Sequence, residues 1–208
     1  MSEPRPQDDA APSVGEVAEQ KLHELEEKHH FRLPRTRASD RLEAVVLGVN
    51  HAASWLWALL VLIIVFAVAM RYLFGRGSIM IEELQWHIYG VGFILGLSYC
   101  LVSDRHVRID VVAERWPLRV RAWIELLGLA LFLIPLCLAV ILEAIPFVLR
   151  SWQLHEVSAA PDGLPYRWIP KSFILWGFLL LLLGAVARLL RVTALLFGRP
   201  EPLPTSAG

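Results

Sequence analysis

Four long uncharged stretches alternate with short charged segments along this chain of 208 residues, and the pattern predicts four helices that cross a membrane. A hydrocarbon core takes about 20 mostly apolar residues to cross as a helix. Ala44 to Met70 carries no charge over 27 positions and is closed by Arg71, and Leu84 to Val102 carries none over 19 before Ser103, Asp104 and Arg105. The third stretch, Leu126 to Leu142, is interrupted by Glu143 and continues apolar to Leu149. The fourth is uncharged over only 16 positions, Ser172 to Ala187. Lys171 and Arg188 at its ends extend the usable length, because long cationic side chains snorkel, and Trp168 suits an interface. Spans are expected at about 44–73, 82–102, 121–149 and 169–191, within a membrane domain of 41–197. A polar extension, 1–40, precedes it, and a proline-containing tail, 198–208, is expected to be disordered.

Local signals refine the ends and the course of these helices. Asp40 with Glu43 three residues later fits an N-cap and its reciprocal partner at the start of the first helix. Pro117 fits the first turn of the third helix or the end of the loop before it. Pro135 and Pro146 each remove a backbone donor and are expected to bend the third helix. Val14 to Phe31 reads either as a short surface helix or as a flexible extension.

Charge placement orients the spans. Lysine and arginine together equal aspartate and glutamate at 20 each, so net charge points to no acidic or basic partner, and no nucleic-acid partner is expected. Seven lysines and arginines precede the first span, five lie between the second and third, and three follow the fourth, whereas the two remaining loops carry two and three. This imbalance, fifteen against five, predicts that both termini are cytoplasmic. The composition is 56% apolar, in keeping with an all-α integral membrane protein, and no apolar core near Met1 suggests a cleaved signal peptide. Cys100 and Cys137 fall inside apolar runs at different depths, which predicts two buried free thiols.

Polar groups at membrane depth are costly and are the first candidates for function. Glu125 and Glu143 are 18 residues apart, about 27 Å along a helix, which sends them to opposite interfaces as packing or interfacial carboxylates. Glu82 and Glu83 stand at the start of the second helix, where the helix dipole favours negative charge, and face Arg71 and Arg76 in the preceding loop or a partner subunit. His51 and His87 fall near opposite faces, His106 lies past the second span and His155 in the loop before the fourth. No two imidazoles face each other at a common depth well inside the membrane, which argues against an electron-transfer anchor holding haem, and no cofactor is expected. The chain has no phosphate-binding loop, no H-E-x-x-H and no Cys/His cluster of metal-ligand spacing. Gly92 and Gly96, extended by Cys100, give the second helix a small-residue face for close helix packing. No repeat relates the two halves, and the spans are poor in the polar groups of a midplane transport site, so a self-sufficient transporter is disfavoured.

Several short motifs add up in order and spacing. Arg71-Tyr72-Leu73-Phe74-Gly75 closes the first span and Glu82-Glu83-Leu84 opens the second. Asp104-Arg105-His106-Val107-Arg108-Ile109-Asp110 follows the second, with Trp116-Pro117 after it, and Pro161-Asp162-Gly163-Leu164-Pro165-Tyr166 precedes the fourth. With these motifs, residues 41 to 197 resemble the small membrane subunit of tripartite ATP-independent periplasmic (TRAP) transporters, the DctQ-like family. The resemblance implies a non-catalytic subunit of the bacterial inner membrane, packed in the bilayer against a large membrane subunit. That subunit carries the substrate and sodium sites, and a periplasmic binding protein delivers an organic acid anion to it. Arg71, Glu82, Glu83, Gly92, Gly96, His106, Asp110, Asp162 and Gly163 are then the expected partner or packing contacts. The competing readings are a membrane anchor of an electron-transfer complex and a free-standing scaffold.

Overall fold

The computed structural model describes residues 34–103 and 116–198. Among them all regular structure is helical: α1 (Arg37–Ala53), α2 (Trp55–Phe74), α3 (Ile79–Val102), α4 (Leu118–Leu127), a π-helical segment Gly128–Leu133, α5 (Ile134–Gln153) and α6 (Trp168–Phe197). They make four passes long and apolar enough to cross a membrane, with α1–α2 as the first and α4–π–α5 as the third.

The first pass starts earlier than Asp40. Thr36, with extended backbone at φ −128° and ψ 150°, caps α1 through a reciprocal pair with Ser39. The Ser39 amide donates to Thr36 Oγ1 at 3.2 Å and the Thr36 amide to Ser39 Oγ at 3.1 Å. This corrects the expected Asp40–Glu43 cap: a hydroxyl pair one turn upstream satisfies the free amides, leaving both carboxylates free to bind a cation on α6. At Ser54 the helix is interrupted without turning out of the αR region, and Ser54 Oγ donates to the His51 carbonyl at 2.6 Å. Such back-bonding bends a helix. α2 ends on Gly75 in the left-handed region, φ 64°, and the Arg76 amide reaches back to the Met70 carbonyl at 3.3 Å. The glycine that closes the R-Y-L-F-G motif is therefore the helix terminator.

The third pass departs from α-geometry just before Pro135. The Ile134 amide donates to the Leu129 carbonyl, five residues back, at the end of the π-helical segment. Pro135 has no N–H and its ring crowds the preceding turn, and widening that turn accommodates both effects. Pro146 lies inside α5, which continues through it, and Pro117 is the extended residue capping α4.

α6 is the axis of the fold. It packs against α3, α5, α1 and α4, whereas α2 packs chiefly on α3, and α3 and α5 make no substantial contact with each other. In this helical layer the first, second and fourth passes thus pack on one another, and the third packs chiefly on the fourth. The core is Val46, Val91, Leu95 and Leu180, with Leu56, Phe173 and Leu183 against it. Much of the remaining apolar surface faces outward, including Val61, Leu62, Val65 and Phe66 on α2 and Leu131, Phe132, Leu136 and Leu142 on the third pass.

Close approach at the centre depends on glycines of α6. A Cβ added at Gly177 would overlap Ile94 Cγ2 and come within 3.2 Å of Ile94 Cβ. One at Gly184 would lie 3.1 Å from Val102 Cγ2 and 3.8 Å from the Ser98 carbonyl oxygen. The expected Gly92–Gly96 face is only half used. Gly92 accepts the indole of Trp57, 3.2 Å from a hypothetical Cβ, while Gly96 meets nothing within 4 Å. Cys137 is buried and Cys100 half-buried, both as free thiols. The segment Val14–Phe31, read as either a short surface helix or a flexible extension, and the tail after Gly198 lie outside the described residues.

Candidate functional site

The polar side chains of the described helices gather at the two ends of the layer. At the end where the chain enters α1 and leaves α6, two arginines one turn apart on α6 hold the other three passes. Arg188 is buried; its Nε donates to Glu125 Oε1 on α4 and its Nη1 to the Leu101 carbonyl of α3 at 3.0 Å. Arg191 Nη2 donates to Glu43 Oε2 at 2.6 Å and to Asp40 Oδ1 at 3.1 Å, and Arg191 Nε to Ser39 Oγ at 3.2 Å. A second tie lies deeper. Asn50 Nδ2 on α1 donates to Ser98 Oγ of α3 and to the Val46 carbonyl, both at 2.9 Å, and Ser98 passes its own proton to the Leu95 carbonyl at 2.7 Å.

At the opposite end the loop before α6 folds around one carboxylate. Glu83, in the first turns of α3, accepts from Ser158 Oγ and, at 2.7 Å, from the Leu164 amide. The Ser158 amide donates to the Leu164 carbonyl at 3.1 Å, closing the loop on itself. Asp162 and Tyr166 adopt left-handed backbone, φ 55° and 60°, at its two bends. Gly163 is required here for space rather than for dihedral freedom. A Cβ would overlap Ser158 Cβ and come within 2.6 Å of Ser158 Oγ and 3.0 Å of Glu83 Oε2. Replacing Gly163 by valine is therefore expected to open the loop and expose Arg167 to trypsin several-fold faster than in the wild type. Cleavage at the wild-type rate would show that Gly163 does not seat the loop on Glu83.

Two further ion pairs stand at this end. Arg71 pairs with Glu82, with both side chains about half exposed, and Lys171 pairs with Glu156 while its Nζ lies 4.1 Å from the Phe147 ring centre. The hydrogen bond from Lys171 holds the Glu156 carboxyl below its ordinary range. A lowered folded-state pKa stabilises the fold above the ordinary glutamate value of about 4.3 and ceases to do so as pH falls through the folded value. The melting difference between wild type and Glu156→Gln is thus expected to be constant at neutral pH and to vanish under acid conditions. A difference that persists below the folded pKa would assign it to packing instead. Trp152 and Trp168 close the same end edge-to-face, their ring centres 4.5 Å apart.

The rise is about 26 Å from Lys171 to Arg188 along α6 and about 27 Å from Glu83 to Leu101 along α3, close to the roughly 30 Å of a hydrocarbon core. Ties across helix boundaries therefore form two belts a membrane thickness apart, with apolar helix between them.

Of the residues singled out by sequence, the structure joins Arg71 to Glu82 and Glu83 to the Gly163 loop, with Asp162 exposed at a bend of that loop. Gly92 and Gly96 are not brought to one contact, and His106 and Asp110 lie outside the described residues. His87 Nδ1 lies 2.6 Å from the Glu83 carbonyl oxygen at one end. His51 is next to Asn50, whose partner Ser98 is about 16 Å further along α3 from His87, so one iron cannot take both imidazoles. Sequence reasoning missed Arg188, Arg191, Asn50 and Gly177. The available signals were weak: two arginines three apart at the end of a span, and a lone asparagine in an uncharged run.

Four apolar passes between two polar belts define a multi-pass α-helical membrane protein. The family model described as "Tripartite ATP-independent periplasmic transporters, DctQ component" matches residues 60–195. The chain belongs to this family, and is thus a TRAP transporter small permease component. No curated protein matches it significantly.

Proposed function

We propose that this protein is the non-catalytic small subunit of a TRAP transporter in a bacterial inner membrane, with both termini in the cytoplasm. It packs against the large membrane subunit and supports sodium-coupled import of an organic acid anion delivered by a periplasmic binding protein. The membrane domain is residues 41–197, with 1–40 as a cytoplasmic extension. The observation that carries this reading is the use made of polar side chains in a member of the DctQ family. The ion pairs of the described helices tie one helix to another at the layer's ends, so their chemistry serves to hold a shape. Much exposed apolar surface on the helices suits a subunit completed by a partner. The positive-inside distribution supports the orientation, and puts the Glu83 loop on the periplasmic side, where the binding protein docks.

Co-expression with a TRAP transporter large subunit from the same genome tests the proposal. The two are expected to purify together in mild detergent, and deletion of the small subunit is expected to abolish uptake of the organic acid. Separate purification, with uptake intact after deletion, would overturn the reading.

A further inference from the structure

The turn that joins α2 to α3 encloses a cavity of about 240 Å³ that plays no part in the ties described above. Arg71, Arg76 and Ser78 bring N–H and O–H donors to it, and Glu82 brings one carboxylate. Arg71 gives its Nη2 to Glu82, and a guanidinium has five N–H donors, so others remain for a second acceptor. The turn passes close over this group: a Cβ added at Gly77 would stand 3.9 Å from Arg71 Nε. Arg76 makes no hydrogen bond or ion pair among the described residues. Ser78 precedes α3 without a capping bond from its side chain, which leaves its hydroxyl available. With two guanidinia against one carboxylate, the cavity has one positive charge in excess.

The rest of the lining is apolar and lies on the side of the span. Ala67 is four residues, about 6 Å, further along α2 into the span than Arg71, and Met70 and Ile81 continue the same wall. The cavity stands at the level of the belt formed by Glu83 and Lys171, since Glu82 is its rim. Tyr72, Leu73 and Phe74 before it and Ile79 and Met80 after it are exposed. Arginines among exposed aromatic and aliphatic side chains are suited to the zone where headgroups meet hydrocarbon.

The bilayer supplies an anion at this depth. Every phospholipid places a phosphate in the headgroup layer and its acyl chains toward the span, the same order as the donors and the apolar wall of the cavity. Guanidinia bind phosphate oxygens through paired, charge-assisted hydrogen bonds. We propose that the cavity holds the phosphate of an anionic phospholipid between Arg71, Arg76 and Ser78, with an acyl chain against Ala67 and Met70. The excess positive charge balances a lipid with one net negative charge and gives no such advantage to a zwitterionic one. Lipid binding of this kind requires only the membrane spans and does not depend on the proposed transport role.

The full-length protein, stripped of lipid in mild detergent, tests this by titration with phosphatidylglycerol or phosphatidylcholine, read by native mass spectrometry and thermal midpoint. One phosphatidylglycerol is expected to be retained in preference to phosphatidylcholine and to raise the midpoint. Arg76→Gln should lower that retention about fivefold, the effect of one basic side chain at an anionic lipid surface, while leaving the lipid-free midpoint unchanged. Arg76→Lys, which keeps the charge, should retain most of the binding. Arg150→Gln, which neutralises another exposed arginine at the same end, should leave retention as in the wild type. Equal retention of the two lipids, or equal losses with Arg76→Gln and Arg150→Gln, overturns the proposal. Displacement of the lipid by millimolar inorganic phosphate would assign the cavity to the free anion instead. Unchanged lipid retention in Arg76→Gln, with loss of the co-expressed large subunit, would assign it to a protein partner and equally overturn the proposal.

Discussion

Replacing Arg188 by alanine is expected to destabilise the helical layer by about 3 kcal/mol, because it removes a buried cation that neutralises the largely covered Glu125 carboxylate. Arg188 is 8% exposed, and bonds from it reach different passes, to Glu125 on α4 and to the Leu101 carbonyl at the end of α3. The loss should appear as a fall of roughly 6–12 °C in the thermal midpoint in detergent. Lysine at this position is expected to restore only part of it, since one ammonium cannot reproduce the divergent geometry of Nε and Nη1. Pairing Arg188→Ala with Glu125→Leu should recover part of the loss by removing the carboxylate that Arg188 neutralises. The exposed Arg71–Glu82 pair supplies the comparison. Its side chains are 61% and 47% accessible, so Arg71→Ala is expected to cost at most about 1 kcal/mol. Equal effects at the two sites would show that burial does not govern these ion pairs.

The second large effect is expected at Gly177. The α3–α6 contact is the most extensive in the fold, and at this point the backbone of α6 lies directly on Ile94. Valine at Gly177 would force Ile94 aside or separate the helices, at a cost of about 3 kcal/mol, the upper end for overpacked cores. Ile94→Ala should partly rescue it by vacating the same volume. The same substitution at Gly96, where a Cβ meets nothing within 4 Å, is expected to leave the midpoint of the isolated subunit nearly unchanged. Similar losses at Gly96 and Gly177 would mean that glycine spacing on α3, rather than contact with α6, controls the packing.

These two sites mark how far the sequence could be read. The four-pass organisation was legible because exclusion of charge from hydrocarbon acts on every residue of a span independently of its neighbours. Arg71, Glu82, Glu83 and Gly163 were also visible, as polar or turn-forming residues at the ends of apolar runs. Which glycines matter was not, since G-x-x-x-G describes one helix and says nothing about what stands opposite. Gly92 meets Trp57, Gly96 meets open space, and Gly177, without a glycine four residues away, meets Ile94. Asp40 and Glu43 gave a plausible cap from local spacing alone, yet Thr36 and Ser39 cap the helix while Arg191 draws the two carboxylates across to α6.

By itself, the sequence determined that the chain is helical, that it makes four apolar passes, and where most of its loops carry charge. Those properties follow from hydropathy and helical rise, which are local. Only the tertiary structure decided that α6 is the axis, that Arg188 and Glu125 neutralise one another across 63 residues, and that Glu143 does not find a partner in its own described helices. Pairing of charges depends on which helix faces which, and in an apolar layer that is set by how closely backbones can approach.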